Sequence, residues 1–516
     1  MWTAPEGLST VRSVEYPASL ASASRDAAAR VEVVAVTLPR VALALALTLS
    51  LGAGVARATP PTDVTHVLAA PCVSSVTVPA DYVGLSIEWS MVQRWFGTSR
   101  LSAVQPTADL LKTLHAEPGG GVLRIGGNSQ DGYRFDAHGT TDRNTLFTGT
   151  ITPGMVDALF EVARRSGWRV ILGLNLRADR PDEAVALARY AVQQDRSGNL
   201  LSFEIGNEPN GYFAGDITGY VARVGRYLEA LGTDPATRLL PISGPSLSNQ
   251  ADLTYLTALE QAYGARMRFL TWHHYANRPT LSRLLEEEVI TQWTDRIAAV
   301  AQAAGPTTPT RMDEGNSVGH GGMDRVSNVT GTTAWLVDSM LTGAVDGLAG
   351  YNVHAWDEHY YPGGGWTARY TPFVVRDRKI VPRAPVYAMA LLRDLGGKRL
   401  CRATTANSDG EVKAWSLTDP DTGRRYVYLV NKSQVTRAAT VDAALAGNLA
   451  STATISRITD PGGCAGKSTG INTNALASDG TLAARGDALA PDATGQLYDV
   501  ELQPCQSVVI ELAAGT

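Results

Sequence analysis

The chain is predicted to be an α/β protein: a (β/α)₈ TIM barrel with an appended antiparallel β-sandwich domain. Three observations predict it. Eight short apolar runs alternate with amphipathic stretches over roughly 290 residues, the length and rhythm of eight strand–helix units. Beyond Pro382 that rhythm gives way to short alternating runs divided by turn residues. The fourth and seventh apolar runs carry a glutamate at or near their C-terminal end, Glu208 and Glu314, and the C-terminal strand ends of such a barrel are where active-site groups sit.

In chain order, residues 1–58 are expected to stand outside the fold. Residues 41–55, VALALALTLSLGAGV, follow Arg40 and precede Ala56-Arg57-Ala58, the small-x-small pattern of a signal-peptidase site. The apolar stretch is shorter than the roughly 20 residues a membrane span needs. An exported protein, secreted or periplasmic, with its true start downstream of Met1, is the favoured reading; an uncleaved N-terminal anchor is the alternative. The segment 72–80, CVSSVTVPA, alternates like a strand and is assigned with 66–71 to the sandwich.

The barrel is expected over 81–382. Its eight runs are 82–89, 121–129, 169–176, 200–208, 239–246, 268–275, 308–316 and 347–356, with helical stretches such as PGMVDALFEVARRSG (153–167) and PDEAVALARYAVQQD (181–195) between them. Residues 383–395 read as a last helix. The runs EVKAWSLT, RRYVYLVNK, AATVDAAL, ATISRIT and QSVVIELA then complete a sandwich over 383–516 with 66–80.

Composition excludes several classes of function. A net charge of −5 on 516 residues, with 18% charged and no basic run, gives no reason to expect nucleic acid or stable membrane insertion. Four cysteines, Cys72, Cys401, Cys464 and Cys505, flank the central region without a CxxC, so neither a zinc site nor a redox motif is supported. In an exported chain they permit two disulfides in any of three connectivities, stapling the sandwich and not the barrel. No metal or cofactor is expected, and the protein is taken as a monomer.

The chemistry concentrates in FEIGNEPN (203–210) and RMDEGNS (311–317). Two carboxylates face to face at a sheet's rim are the machinery of glycosidic-bond hydrolysis. Asp313 competes with Glu314, but alternation along a strand sends adjacent side chains opposite ways, so only one is expected to face a substrate. Glu204 shares parity with Glu208 four residues deeper, and Arg124 is its expected buried partner. His273 and His274 should diverge for the same reason, which disfavours joint metal ligation. Trp89, Trp95 and Phe96, and the aromatic, Gly-rich loop 357–370, are candidate walls for neighbouring sugar subsites.

FEIGNEPN, GLSIEW, RIGGNS, TWHHY, DEGNS followed by GHGG, and YTPF, in this chain's order, resemble glycoside hydrolase family 79, which contains β-glucuronidases and heparanases. The resemblance covers about residues 66–510. It implies retaining hydrolysis of a β-linked glucuronic acid within an oligo- or polysaccharide, with Glu208 as acid/base and Glu314 as nucleophile. It further implies that Glu88, Asn128 and Asn207 bond sugar hydroxyls and that Tyr275 hydrogen-bonds Glu314. Ala276 stands where heparanase-like relatives often carry a second tyrosine. The glucuronate carboxylate would be met by a nest of backbone N–H groups in the Gly319–Gly322 stretch, Gly321 and Gly322 included, and by Tyr370; His320, which interrupts that run, would assist when protonated or else stand in solvent as a loop residue. A neutral-sugar β-glycosidase on the same barrel, or a non-catalytic carbohydrate-binding protein, remain the other readings, and endo versus exo action stays open.

Overall fold

Runs rich in valine, leucine and isoleucine that must be buried on both faces suit parallel strands covered by helices. In the computed structural model all eight such runs pair in parallel, each with its neighbour in chain order, and the eighth closes on the first. The barrel strands are Val83–Glu88, Val122–Gly126, Arg169–Leu174, Leu200–Ile205, Ile242–Leu247, Met267–Tyr275, Thr310–Asn316 and Tyr351–Ala355. The structure describes residues 64–514 apart from 70–74, 99–100, 103, 116–119, 140–143, 250, 358–366, 407–409, 444–448 and 484–485. The expected signal segment, Cys72 and most of the aromatic loop lie outside the described residues.

The helices follow from local chemistry. Pro153–Ser166 starts on a proline, whose missing N–H costs nothing in the first turn, and stops at Gly167 in the left-handed conformation. Its Met155, Val156, Leu159, Phe160, Val162 and Ala163 are buried while Arg164 and Arg165 occupy the last turn. Pro181–Gln194 likewise opens on proline, with Asp182 and Glu183 in its first turn, where the helix dipole favours negative charge.

Beyond the barrel, a hairpin pairs Phe373–Arg376 with Lys379–Pro382 through Asp377 and Arg378, both at positive φ. Two sheets then face each other. The larger includes Val76–Thr77, Arg399–Arg402, Val412–Thr418, Arg425–Asn431, Ser507–Ala514 and Leu449–Thr459; the smaller holds Thr404–Ala406, Val64–Leu68, Arg437–Asp442 and Leu497–Leu502. The alternating segment near residue 76 therefore does join the sandwich, as its pattern suggests. Cys464 pairs with Cys505, and Cys401 is disulfide-bonded as well.

Strand Arg425–Asn431 shows how the parts are joined. Val427 and Leu429 point into the core between the two sheets, whereas Tyr426, Tyr428 and Val430 point the other way and join the barrel's core. Helix Thr330–Val345 lies at this junction and is buried almost all round. One polar side chain in it, Asp338, is fully buried and meets Lys413 at 3.0 Å and Lys432 at 2.9 Å; Glu287 meets the same two lysines at 2.9 and 3.0 Å. Burial disfavours the Asp338 carboxylate, but Lys432 and Lys413 overrule it and hold its pKa below the ordinary value.

A carboxyl with a lowered folded pKa stabilises above its unfolded value and loses that contribution as pH falls. Asp338→Asn should therefore destabilise the protein by about 3–5 kcal/mol at neutral pH, because Lys432 would be left buried and short of counter-charge. Equilibrium urea unfolding measures it. A change below about 1 kcal/mol would show that Glu287 alone balances the lysines.

Candidate active site

The centre of the barrel mouth is a guanidinium. Arg124, on the second barrel strand, is fully buried, and an unpaired charge there would be prohibitive. Its Nε donates to Glu204 Oε1 at 2.7 Å; Nη1 donates to Glu314 Oε2 at 2.8 Å and Ser86 Oγ at 3.2 Å; Nη2 donates to Asn207 Oδ1 and Ser246 Oγ, each at 2.7 Å. All five N–H groups of the guanidinium are thus used. The expected Arg124–Glu204 pair is present, and the same arginine also holds Glu314.

Glu208 sits just past the fourth strand. Gly206 takes φ 84°, Glu208 itself takes φ 47°, and Pro209 opens the short helix Pro209–Phe213. A non-glycine residue at positive φ before proline is strained, and the surroundings hold it there. The Glu208 N–H donates to the Ser246 carbonyl at 2.9 Å, and the Asn207 N–H to Asp131 Oδ2 at 3.0 Å. Asp131 also accepts from the N–H of Leu176 at 2.8 Å and of Arg177 at 3.2 Å, so one buried carboxyl ties the loops after the second, third and fourth strands together.

The expectation that only one of Asp313 and Glu314 faces inward is corrected. Register shifts in the seventh strand, between Met312 and Glu314 against Trp272–His273 and between Met312 and Gly315 against Tyr351–Val353, break its alternation. Such a bulge re-aims side chains. Both acids reach Arg124, Asp313 Oδ2 lying 3.7 Å from Nε, and both lie within 4 Å of His273. Asp313 is deeper and fully buried; Glu314 lies above it.

His273 and His274 diverge as alternation requires. His274 packs outward against Trp293, 4.5 Å between ring centroids, and burial followed by Arg296 and Arg278 pushes its pKa down to about 3. His273 points inward between the two glutamates: its Nδ1 is 2.9 Å from Glu208 Oε1 and 3.8 Å from Glu314 Oε1. Two oxygens this close to one nitrogen are no more than about 7 Å apart, which admits the roughly 5–5.5 Å carboxyl spacing of retaining glycosidases.

The two carboxylates live in different surroundings. The Glu314 side chain is 7% exposed and that of Glu208 33%. Burial would raise the Glu314 pKa, but His273, His354 and Arg124, with a 2.7 Å bond from the Tyr275 hydroxyl, hold it well below the ordinary carboxylate range. The expected Tyr275 contact is therefore present. For His273 burial opposes the charged form, yet Glu314, the contact with Glu208 and Asp313 raise its pKa. Deeper, burial lifts the Glu204 carboxyl well above its usual value, against the pull of Arg124 and with Asp313 adding to the rise.

The remaining expected contacts surround this core unevenly. Glu88 accepts from the N–H groups of Asn128 (3.1 Å) and Ser129 (2.8 Å) and from the Ser129 hydroxyl (2.5 Å). Gly127, at φ 67°, lies so close to that carboxyl that a Cβ would fall 2.4 Å from it, so glycine is required for this loop. Burial first, then Glu314, pushes Glu88 up to about 7. Asn128 is exposed at the rim, with its Oδ1 3.5 Å from Asn207 Nδ2. Tyr370 is buried beside Tyr275 (6.1 Å between centroids) and His354 (5.9 Å).

Two expectations change. The Gly319–Gly322 stretch does not present all its N–H groups as a nest: Gly319 donates to Asn277 Oδ1 at 2.8 Å and Gly322 to the Gly319 carbonyl at 3.1 Å. Instead the carbonyls of His320 and Gly321 accept from Thr367 and Tyr370, so the turn clasps the segment that carries Tyr370. Trp89, Trp95 and Phe96 are fully buried core residues and not subsite walls; Trp89 Nε1 donates to the Gly173 carbonyl at 3.1 Å. Residues the motifs did not single out complete the site. His354 Nδ1 is 3.0 Å from Ser86 Oγ and 3.7 Å from Glu314 Oε2, and Ser246 and Asp131 join in as described. Their one sequence signal is position at the ends of barrel strands.

No family model matches the chain. Over 200 residues it is 28% identical to a heparanase from Gallus gallus, covering 35% of this chain and 37% of that protein, so the match spans well under half of the relative. Among solved structures, a 4-O-α-L-rhamnosyl-β-D-glucuronidase from Fusarium oxysporum superposes with a TM-score of 0.67 at 19% identity, covering 87% of this chain and 99% of that one. A family 51 arabinofuranosidase from Xanthomonas axonopodis pv. citri gives 0.63 at 13%, covering 87% and 100%. At these identities the likeness establishes the barrel-and-sandwich fold.

Arg124→Met should destabilise the protein by about 3–5 kcal/mol at pH 7 by stranding buried carboxylates. The Glu314 pKa is lowered in the folded state, so its share of wild-type stability exists above the unfolded value, about 4.3, and vanishes as pH falls. The gap between wild type and variant should therefore narrow in urea melts taken toward pH 4. A gap that widens there would contradict the charge balance drawn around Arg124.

Proposed function

We propose that this protein is a retaining glycoside hydrolase that cleaves β-linked glucuronic acid by double displacement, Glu314 attacking the anomeric carbon and Glu208 serving as acid and then base. The observation that supports this most directly is the pair of carboxylates held to one imidazole nitrogen at 2.9 and 3.8 Å, one nearly buried and one a third exposed. Glu314, kept ionised by its cationic neighbours, is suited to attack; Glu208, at the more open edge, is suited to protonate the departing glycosidic oxygen. Formation of the glycosyl ester removes the charge of Glu314. Glu208, having lost its proton, then takes one from water, which displaces the sugar and regenerates both groups.

The glucuronide assignment is favoured by the local match to a heparanase and by the fold shared with a β-D-glucuronidase, each read with the motifs of the chain itself. Asn207 and Asn128 at the rim, with Glu88 behind them, would bond the sugar hydroxyls. With part of the Gly319–Gly322 backbone engaged internally and the Tyr275 hydrogen committed to Glu314, Tyr370 becomes the main candidate donor to the glucuronate carboxylate. Export to an oxidising compartment, secreted or periplasmic, is supported by the disulfide between Cys464 and Cys505 and by the leader-like residues 41–58.

An activated 2-fluoro-glucuronide, followed by peptide mapping, should label Glu314; a label elsewhere would remove it as nucleophile. Glu208→Gln should lower kcat/KM on glucuronides with poor leaving groups by about 10²–10⁴ while sparing activated aryl glucuronides. Turnover of an aryl glucoside in preference to the matching glucuronide would move the assignment to a neutral sugar.

A further inference from the structure

Ser246 touches an arginine, an aspartate and a histidine of the site at once through its side chain. It ends the fifth barrel strand at φ 56° and is fully buried. Its Oγ lies 2.7 Å from Arg124 Nη2, 2.8 Å from Asp313 Oδ2 and 2.7 Å from His273 Nε2. A hydroxyl has one hydrogen to give and two positions at which to accept. Arg124 can only donate, so it fills one acceptor position. Asp313 lies beside the guanidinium, and its Oδ2 accepts the serine hydrogen at 2.8 Å. The acceptor position left over faces His273, whose Nε2 must then carry a hydrogen.

With Nε2–H fixed, the one variable nitrogen of the ring is Nδ1. It lies 2.9 Å from Glu208 Oε1, and a contact of that length holds one hydrogen, riding on the ring or on the carboxyl. We propose that Ser246 is a positioning residue that sets the tautomer of His273 and so keeps one proton on the axis between His273 Nδ1 and Glu208. Were Ser246 to donate to Nε2 instead, a neutral ring would carry its hydrogen on Nδ1 and Glu208 would be left as a bare carboxylate, unable to act as an acid. The balance is closed. The glycosidic oxygen takes the axis proton as its bond to the sugar breaks, leaving neutral His273 and ionised Glu208, and the attacking water returns a proton to the axis. The assignment rests on Glu208 being the acid/base.

Two measurements on the full chain test it. With only eight histidines in the sequence, ¹⁵N-histidine labelling gives a resolvable spectrum, and His273→Gln identifies the signal. At a pH where the His273 ring is neutral, its Nε2 should carry the hydrogen; a neutral ring protonated on Nδ1 alone would overturn the proposal. Ser246→Gly removes the hydroxyl at a backbone angle glycine adopts freely, and urea unfolding checks that the Arg124 N–H it leaves unmatched does not prevent folding. It should lower kcat/KM on an alkyl glucuronide about tenfold or more and move the basic limb of that profile to lower pH, while 2,4-dinitrophenyl glucuronide, which needs no proton donation, changes less than about threefold. Equal losses on both substrates with an unmoved limb would mean that Ser246 only packs. Absence of any glucuronide turnover by the wild type would sink the hydrolase reading, and the nitrogen spectrum would still decide the tautomer.

Discussion

Arg124 is the constraint around which the barrel mouth is built. A guanidinium taken wholly out of water is tolerated only when every donor is matched, and this one is matched by groups from the first, fourth, fifth and seventh barrel strands or the residues just beyond them. The requirement works in both directions. The arginine keeps Glu314 ionised, and the acids around it keep the arginine charged in a place where burial alone would disfavour it. Its planar fork also ties together strands on opposite sides of the barrel, the first and seventh with the fourth and fifth. A lysine would present a single ammonium and could not span them.

Around that centre the backbone departs from regular geometry where regularity would misdirect a side chain. Glu208 and Ser246 take positive φ at the ends of the fourth and fifth strands, and the seventh strand bulges so that two successive acids face inward. Each departure carries a local energetic cost, offset by a bond to a neighbouring loop: Glu208 N–H to the Ser246 carbonyl, Ser246 N–H to Thr271 Oγ1. The barrel supplies rigidity, and its irregular rim supplies aim.

Much of this was legible in the sequence because it is periodic. Eight apolar runs, two proline-led helices and the return of the segment near residue 76 to the sandwich all follow from burial patterns with a fixed repeat. The pairing of Glu204 with Arg124 could be read because parity along a strand is a geometric rule, and Glu208 and Glu314 through the motifs that carry the family resemblance. The same rule failed at Asp313, since a bulge breaks parity and leaves no composition signal. Ser246, Asp131 and His354 were not legible because their roles depend on which strands become neighbours. The hairpin turn at Asp377 and Arg378 was hidden for another reason: both residues adopt the left-handed region without the glycine or asparagine that usually announces such a turn. Gly319–Gly322 misled because a glycine-rich run implies freedom of shape, not where its amides point.

The strand Arg425–Asn431 feeds two interiors at once, one for the sandwich and one shared with the barrel. The C-terminal sheet therefore differs from carbohydrate modules strung on flexible tethers. It cannot be shuffled between enzymes as a self-contained cassette, because a barrel inherited without it would expose a wall of tryptophan, tyrosine and leucine. Gene fusions that diversify such a fold must add to its ends or its loops, leaving this seam to be inherited whole.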